Sequence, residues 1–182
     1  LALVVPMLTA GGLVGWLSFR NMQHAVSELA DKFTHEVIGN VTADLNAHLA
    51  GVQRVVDLNA RQGWDLKDLK GVQRRLFNQL LAFQTPTLIS VGTTERAFVG
   101  VERLPDDKVM LSHSDLSTGY GLNTYAATRY GEPQGYSVSL PDFDPRQQLW
   151  YRIAENALGT VWTEPYYFPG KKTLQIAAAR PA

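Results

Sequence analysis

The chain has no cysteine, and its charged side chains cancel one another. Without cysteine there can be no disulfide, no thiolate nucleophile and no cysteine metal ligand. Seventeen basic and seventeen acidic residues give a formal net charge of zero, which argues against the basic surface of a nucleic-acid-binding protein. The 182 residues, 45% of them hydrophobic, suffice for one or two domains with a buried core.

Patterns typical of a catalytic centre are also missing. No nucleophile lies beside a base in a recognisable motif, and no paired carboxylates suggest a cleft. His113 and Asp115 share one loop, but two candidate ligands are weak support for a metal site. The glycine-rich stretch STGYG (117–121) lacks the lysine of a phosphate-binding loop. We expect no catalytic residue, no metal and no cofactor in this segment.

Charge is absent from the first 19 residues, LALVVPMLTAGGLVGWLSF, and Arg20 closes this run. About 20 apolar residues match the thickness of a bilayer, so residues 1–19 are predicted to form a transmembrane helix. A cleaved signal peptide and a buried core helix are the alternatives.

Residues 20–62 are predicted to form a long stalk helix, because apolar side chains recur every three or four residues and charged ones lie between them. An apolar stripe of this length needs a partner, and a second copy of the chain would make a homodimer. The stripe consists of Val26, Leu29, Phe33, Val37, Val41, Leu45, Leu49, Val52 and Val56.

Residues 63–182 are predicted to form a separate lobe. A second helix is expected over about 66–83, followed by short strands over 88–92, 96–104, 108–114, 123–128 and 136–140. A helix over Gln147–Ala157, a strand at 160–164, a turn at 168–172 and a strand at 173–179 complete the pattern. Helices followed by an antiparallel meander indicate an α+β fold.

The segment DPRQQLWYRIAENALGTVWTEPYYF (144–168), preceded by FVGVERL (98–104) and followed by LQIAAARP (174–181), resembles the double Cache sensor family. The resemblance covers about residues 22–182. It implies the membrane-distal, PAS-like lobe of an extracytoplasmic sensor, incomplete at its C-terminal end, behind a membrane-anchored helix. It also implies a protein of the bacterial inner membrane with its sensor in the periplasm or extracellular space.

The resemblance implies a ligand pocket bounded by aromatic side chains. Its ligand-binding positions correspond to Phe143, Gln148, Trp150, Tyr151, Tyr166 and Phe168. The motif residues Asp144 and Arg146 are expected to anchor the loop before the helix. Trp162 and Tyr167 are expected to be core aromatic residues.

Three positions depart from the pattern of amino-acid-binding members, which have Tyr, Arg and Asp where this chain has Phe143, Gln148 and Phe168. In those members the Arg holds the ligand carboxylate bidentately and the Asp holds its ammonium group. Gln148 and Phe168 cannot do this, so a small uncharged or singly charged ligand is expected. The resemblance further implies a cytoplasmic output module. A diguanylate or other nucleotide cyclase is the expected module, and a histidine kinase or chemoreceptor is the alternative. A ligand-free structural or dimerisation ectodomain is the competing interpretation.

Overall fold

The structure, a computed structural model, describes residues 4–168 and 173–182. Residues 1–3, where the predicted membrane helix begins, and residues 169–172, within the predicted turn, lie outside the described residues. In the described part, three α-helices and nine strands follow one another in the order α1, α2, β1–β5, α3 and β6–β9. The predicted α+β class with an antiparallel sheet is confirmed.

The first helix, α1, spans Val4–Arg61. The chain divides into a compact unit of residues 1–47 and another of residues 48–182, and α1 contributes residues to each. In the first unit four residues of the predicted stripe, Phe33, Val37, Val41 and Leu45, are open to solvent at between 43% and 69% exposure. Its partner therefore stays a prediction.

Within residues 4–168 and 173–182, no helix is both long enough and apolar enough to cross a bilayer.

The second helix, α2, spans Leu69–Ala82 and is closed at both ends by side chains. Asp68 accepts a hydrogen bond from the Gly71 amide (2.9 Å), which satisfies one of the free N–H groups of the first turn. At the other end the guanidinium of Arg103 donates to the carbonyls of Leu80 and Phe83, where a cation also suits the helix dipole.

Five antiparallel strands form the main sheet in the order β1-β2-β3-β4-β5. The strands are β1 (Leu88–Gly92), β2 (Phe98–Arg103), β3 (Val109–Ser114), β4 (Leu122–Ala127) and β5 (Pro133–Leu140). Helix α2 packs on β1 and β2. One core cluster joins α1, α2 and the sheet through Val55, Val72, Leu76, Phe77, Leu80, Ile89, Val99, Val101 and Leu111.

The segment after the main sheet differs from its prediction. Gln148 has extended backbone, so the single helix predicted over Gln147–Ala157 is instead a 3-10 turn, Pro145–Gln147, followed by α3, Leu149–Ala154. The prediction of a single C-terminal strand over residues 173–179 is also wrong. It is divided between β8 (Leu174–Gln175), which pairs with β7 (Tyr166–Tyr167), and β9 (Ala178–Ala179), which pairs with β6 (Val161–Trp162).

Asp57, near the end of α1, joins that helix to these C-terminal strands. Its Oδ1 accepts hydrogen bonds from Thr160 Oγ1 (2.7 Å) and from the Arg180 guanidinium (2.9 Å). The Thr160 hydrogen bond, followed by that of Arg180, lowers the pKa of Asp57 below its usual value. Two contacts therefore hold the last turns of α1 within the second unit: the buried side chain of Val55 and the ion pair of Asp57 with Arg180.

Candidate functional site

The two faces of the main sheet carry different kinds of side chain. Large apolar residues point toward α2, whereas a row of small residues crosses the opposite face from β1 to β4. The row follows directly from the register, in which Ser90 is opposite Gly100, Gly100 opposite Ser112, and Ser112 opposite Thr124. Residues paired across antiparallel strands share a face, so these four side-chain positions lie side by side. We call them the small-residue row.

The small-residue row is polar and only half covered. Ser90, Ser112 and Thr124 are each half-buried, and the hydroxyls of Ser112 and Thr124 lie 3.1 Å apart. The Phe98 ring lies over Gly100, where a Cβ atom would come within 3.1 Å of it. The hydroxyl-bearing positions of the row are smaller than the leucines and valines of the other face, so they are suited to form the floor of a binding site rather than a second apolar core.

An aromatic cluster closes one end of this face. Phe98 from β2 is 1% exposed, and Phe143 and Phe168 are 2% and 5% exposed. The Phe98 ring centroid lies 5.1 Å from that of Phe143, 6.4 Å from that of Phe168 and 6.4 Å from that of Trp150. Three residues predicted from the family pattern, Phe143, Trp150 and Phe168, are thus brought together around Phe98.

Helix α3 reaches the sheet at Gly92, the last residue of β1. A Cβ atom placed on Gly92 would lie 2.8 Å from the Trp150 ring and 2.9 Å from Pro145. Glycine is needed here because any larger residue would push the indole away from the strand. Tyr151, whose ring centroid lies 5.6 Å from that of Trp150, is half-buried, and burial raises the pKa of its hydroxyl.

Two buried polar atoms on this side of the sheet have no hydrogen-bond partner in the described part of the chain. They are Nε1 of Trp150 and Oγ of Ser114. Ser114 is opposite Phe98 in the register and fully buried, and Trp150 packs on the same Phe98 ring. Leaving a buried polar group unpaired costs about 1–3 kcal/mol, so each such atom calls for an explanation.

The loop before α3 is held by Asp144 and Arg146. The Asp144 carboxylate accepts from Arg146 Nε (3.0 Å), from its terminal nitrogen (2.8 Å) and from its backbone amide (2.9 Å). Arg146 also donates to the Thr94 carbonyl in the β1–β2 turn, and Arg96 from that turn donates to the Phe143 carbonyl. The Arg146 side chain holds the pKa of Asp144 below its usual value, so this carboxylate is ionised near neutral pH.

Gln148 and Tyr166 lie at the margins of the cluster. Gln148 begins α3, and its side-chain amide donates to the Asp144 carbonyl (3.2 Å). Tyr166 is half-buried in β7, and burial raises the pKa of its hydroxyl, partly opposed by the Gln175 side chain. Nε2 of Gln175 still makes no hydrogen bond of good geometry in the described chain. The next residue, Tyr167, is 62% exposed, so its prediction as a core aromatic is wrong.

Residues of the small-residue row were missed by the motif-based prediction, although the sequence carries a signal for them. In Ile89-Ser90-Val91-Gly92 and in Val99-Gly100-Val101, apolar and small residues alternate with the period of a strand. The β-branched residues face the α2 core, so the small residues must share the other face. Ser114 and Thr124 carry no such local signal, because only the register brings them beside Phe98 and Ser112.

A second concavity lies on the α2 side of the sheet, with a volume of about 500 Å³. His113 Nε2 lies 3.5 Å from Asp115 Oδ2 on its wall, and Arg74 and Glu132 form an ion pair at 2.8 Å. The charges of Arg74 and Glu132 are already matched to each other. No cluster of three or more potential metal ligands occurs among the described residues. We therefore regard the small-residue face as the better candidate site.

Comparison with known proteins gives one partial similarity. The chain is 36% identical over 76 residues to the methyl-accepting chemotaxis protein PscA of Pseudomonas syringae pv. tomato. The aligned region comprises 36% of this chain and 12% of that protein, so the chain spans a small part of the relative it matches. No family model and no solved structure matches the chain.

Proposed function

We propose that this chain is the ligand-sensing part of a signal-transduction protein and that it binds a small molecule between the small-residue row and α3. The observation that supports this most is the contrast between the two faces of the main sheet. A sheet that served only as a scaffold would be expected to bury large apolar residues on both covered faces. Here the face opposite α2 buries large residues of the sheet, Phe98 and Leu122, at one end only, and beside them it carries the half-buried hydroxyls of the small-residue row.

The local chemistry supports a ligand without two opposite charges. Two arginines beside the aromatic cluster have partners of their own, Arg146 with Asp144 and Arg96 with Asp142 and the Tyr120 ring. Phe168 and Gln148 stand where amino-acid-binding Cache domains have an anion and a cation. A small uncharged or singly charged ligand accords with these side chains, as the resemblance to the double Cache family implies.

The signalling role draws on the partial likeness to a chemotaxis protein and on the Cache-like motif residues. In this proposal α1 is the membrane-anchored stalk, the sensor lies outside the cytoplasm, and a homodimer forms along the stalk. The output module would be a nucleotide cyclase, with a chemoreceptor or histidine kinase as the alternative. Each of these steps rests on family analogy.

A second candidate function is a ligand-free structural ectodomain. The tight packing of Phe98, Phe143 and Phe168 favours it, because three buried phenyl rings already occupy one end of the face. A structural domain would bind nothing on this face and would retain the fold and the self-association.

A thermal-shift screen of the purified chain against a library of small metabolites tests the choice. A ligand at 100 times its Kd should add about 2.7 kcal/mol of stability, which raises the Tm by several degrees. Trp150→Ala should abolish the shift, whereas the control His113→Ala, on the opposite face of the sheet, should keep it. A shift that His113→Ala abolishes and Trp150→Ala keeps would place the site in the other concavity. No shift with any compound would support the structural function.

A further inference from the structure

Two buried donors without partners, Trp150 Nε1–H and Ser114 Oγ–H, flank the Phe98 ring on the proposed ligand-binding face. An indole nitrogen can donate a hydrogen bond but cannot accept one. A partner for Trp150 must therefore bring a hydrogen-bond acceptor. A serine hydroxyl can donate to the same acceptor or to a neighbouring one.

The side chains around these donors are apolar. Phe98, Phe143 and Phe168 are buried, and Leu122 joins the same cluster. Such a lining gives an ammonium group no carboxylate partner. It also gives a carboxylate no guanidinium, because Arg146 lies in a bidentate pair with Asp144. Bringing either charge here would cost more than its hydrogen bonds return.

We propose that the ligand of this site is an uncharged molecule with an apolar body and an oxygen or nitrogen acceptor, that Trp150 Nε1–H donates to that acceptor, and that Ser114 Oγ–H donates to a further acceptor on the other side of Phe98. This inference rests on the proposed sensing function and specifies the class of molecule that is sensed. Such acceptors would pair the two donors that the protein itself leaves unpaired, so part of the binding free energy comes from removing an existing penalty.

The same observation implies movement on binding. Both atoms are shielded from water in this packing, and the Trp150 ring is in close contact with the strand at Gly92. An acceptor can reach the Trp150 donor only when α3 moves away from the sheet at Gly92. Binding therefore selects a conformation with α3 displaced, and the indole of Trp150 changes its surroundings as it does so.

Size-matched aromatic probes distinguish the classes. We would titrate the purified chain with acetophenone (an uncharged acceptor), ethylbenzene (no acceptor), phenethylamine (a cation) and phenylacetate (an anion), alongside the metabolite library. Acetophenone, or another uncharged acceptor from the library, should bind at least tenfold more tightly than its hydrocarbon and charged counterparts. Its binding should also change the fluorescence of the wild-type chain, with a smaller change in Trp150→Phe.

Trp150→Phe is the decisive variant, because it keeps an aromatic ring and removes the donor. It should weaken binding of the uncharged acceptor roughly tenfold and leave binding of the hydrocarbon unchanged. Ser114→Ala should weaken acceptor binding by a smaller factor. Ser117→Ala is the matched control, since this serine is exposed, lies outside the sheet and donates its hydroxyl to Asp115 Oδ1 at 2.6 Å.

Each outcome has a defined meaning. Tightest binding of a charged compound, or equal binding of the acceptor by wild type and Trp150→Phe, overturns the inference and leaves the sensing function intact. The absence of binding by every probe and library compound overturns the sensing function as well. Selective loss of acceptor affinity in Trp150→Phe and Ser114→Ala, but not in Ser117→Ala, supports the inference.

Discussion

At the scale of single residues, the Asp144–Arg146 pair shows how one carboxylate positions an aromatic helix. Asp144 is 8% exposed and takes three hydrogen bonds from Arg146, which in turn reaches the β1–β2 turn through the Thr94 carbonyl. Three bonds to one buried carboxylate fix the backbone immediately before α3. The position of the Trp150 ring therefore depends on a residue that lies outside the aromatic cluster.

We expect Asp144→Asn to lower the free energy of unfolding by about 1–3 kcal/mol near neutral pH, because an amide cannot take the bidentate pair and Arg146 loses its partner. The folded-state pKa of Asp144 is depressed, so its stabilisation is present above the unfolded-state pKa, near 3.8, and is lost as pH falls through the lower folded value. The difference from wild type should therefore shrink as pH falls toward about 3.

Urea unfolding at several pH values measures this difference. Asp142→Asn is the control, since Asp142 is 89% exposed and its pair with Arg96 should contribute little. A difference between wild type and Asp144→Asn that stayed constant down to the lowest pH would contradict the assignment.

At the scale of secondary-structure elements, a glycine at the end of β1 determines how closely α3 approaches the sheet. A Cβ atom placed on Gly92 would meet the Trp150 ring, Pro145 and the Tyr151 ring. The element boundary also matters, because Gln148 in extended conformation turns the chain between the 3-10 turn and α3. These two backbone features place the indole over β1.

Gly92→Ala should destabilise the chain by about 1–3 kcal/mol, because the new methyl group would need the space that Trp150 and Pro145 occupy. It should also mimic part of the ligand-bound state by displacing α3, seen as altered tryptophan fluorescence without ligand. Gly63→Ala is the matched control, since nothing lies within 4 Å of a Cβ atom at that position. Equal stability of the two variants in thermal unfolding would show that α3 does not pack as described.

At the scale of the whole molecule, two surfaces define what the chain can do with partners. One is the exposed stripe of α1, including Phe33, Val37, Val41 and Leu45. The other is the small-residue face described above. Apolar stripes of this length are rarely left in water, and a second copy of the chain is the partner that we propose for it.

For the proposed homodimer, the double substitution Val37→Lys and Val41→Lys should therefore lower self-association of the purified chain in analytical ultracentrifugation. Pairing would bring the new lysines of one helix close to those of its copy. Charge repulsion and the cost of removing the ammonium groups from water would both oppose it. The control Glu36→Lys and Asp44→Lys changes charge beside the stripe and should leave most of the association. If the stripe variant associated as strongly as wild type, the helix would not be the interface.

The sequence by itself determined the class of this fold and the order of most of its elements. Apolar periodicity predicted α1 and α2, and β-branched runs predicted β1 to β5, because both signals come from neighbours along the chain. The motif residues before and after Trp150 also indicated where an aromatic cluster would form. Phe143, Trp150 and Phe168 do meet there, whereas Gln148 turns to the backbone.

Only the tertiary structure decided what surrounds that cluster. Which hydroxyls share a face depends on strand register, and a shift of one residue would move Ser112 to the α2 side. Phe98 and Ser114 become neighbours through the pairing of β2 with β3. Asp57 and Arg180 form a hydrogen bond although 123 positions separate them in the sequence. The division of Gln147–Ala157 into a turn and a shorter helix follows from the loop contacts of Asp144 and Arg146. Such contacts join residues far apart in sequence, and local propensity carries no information about them.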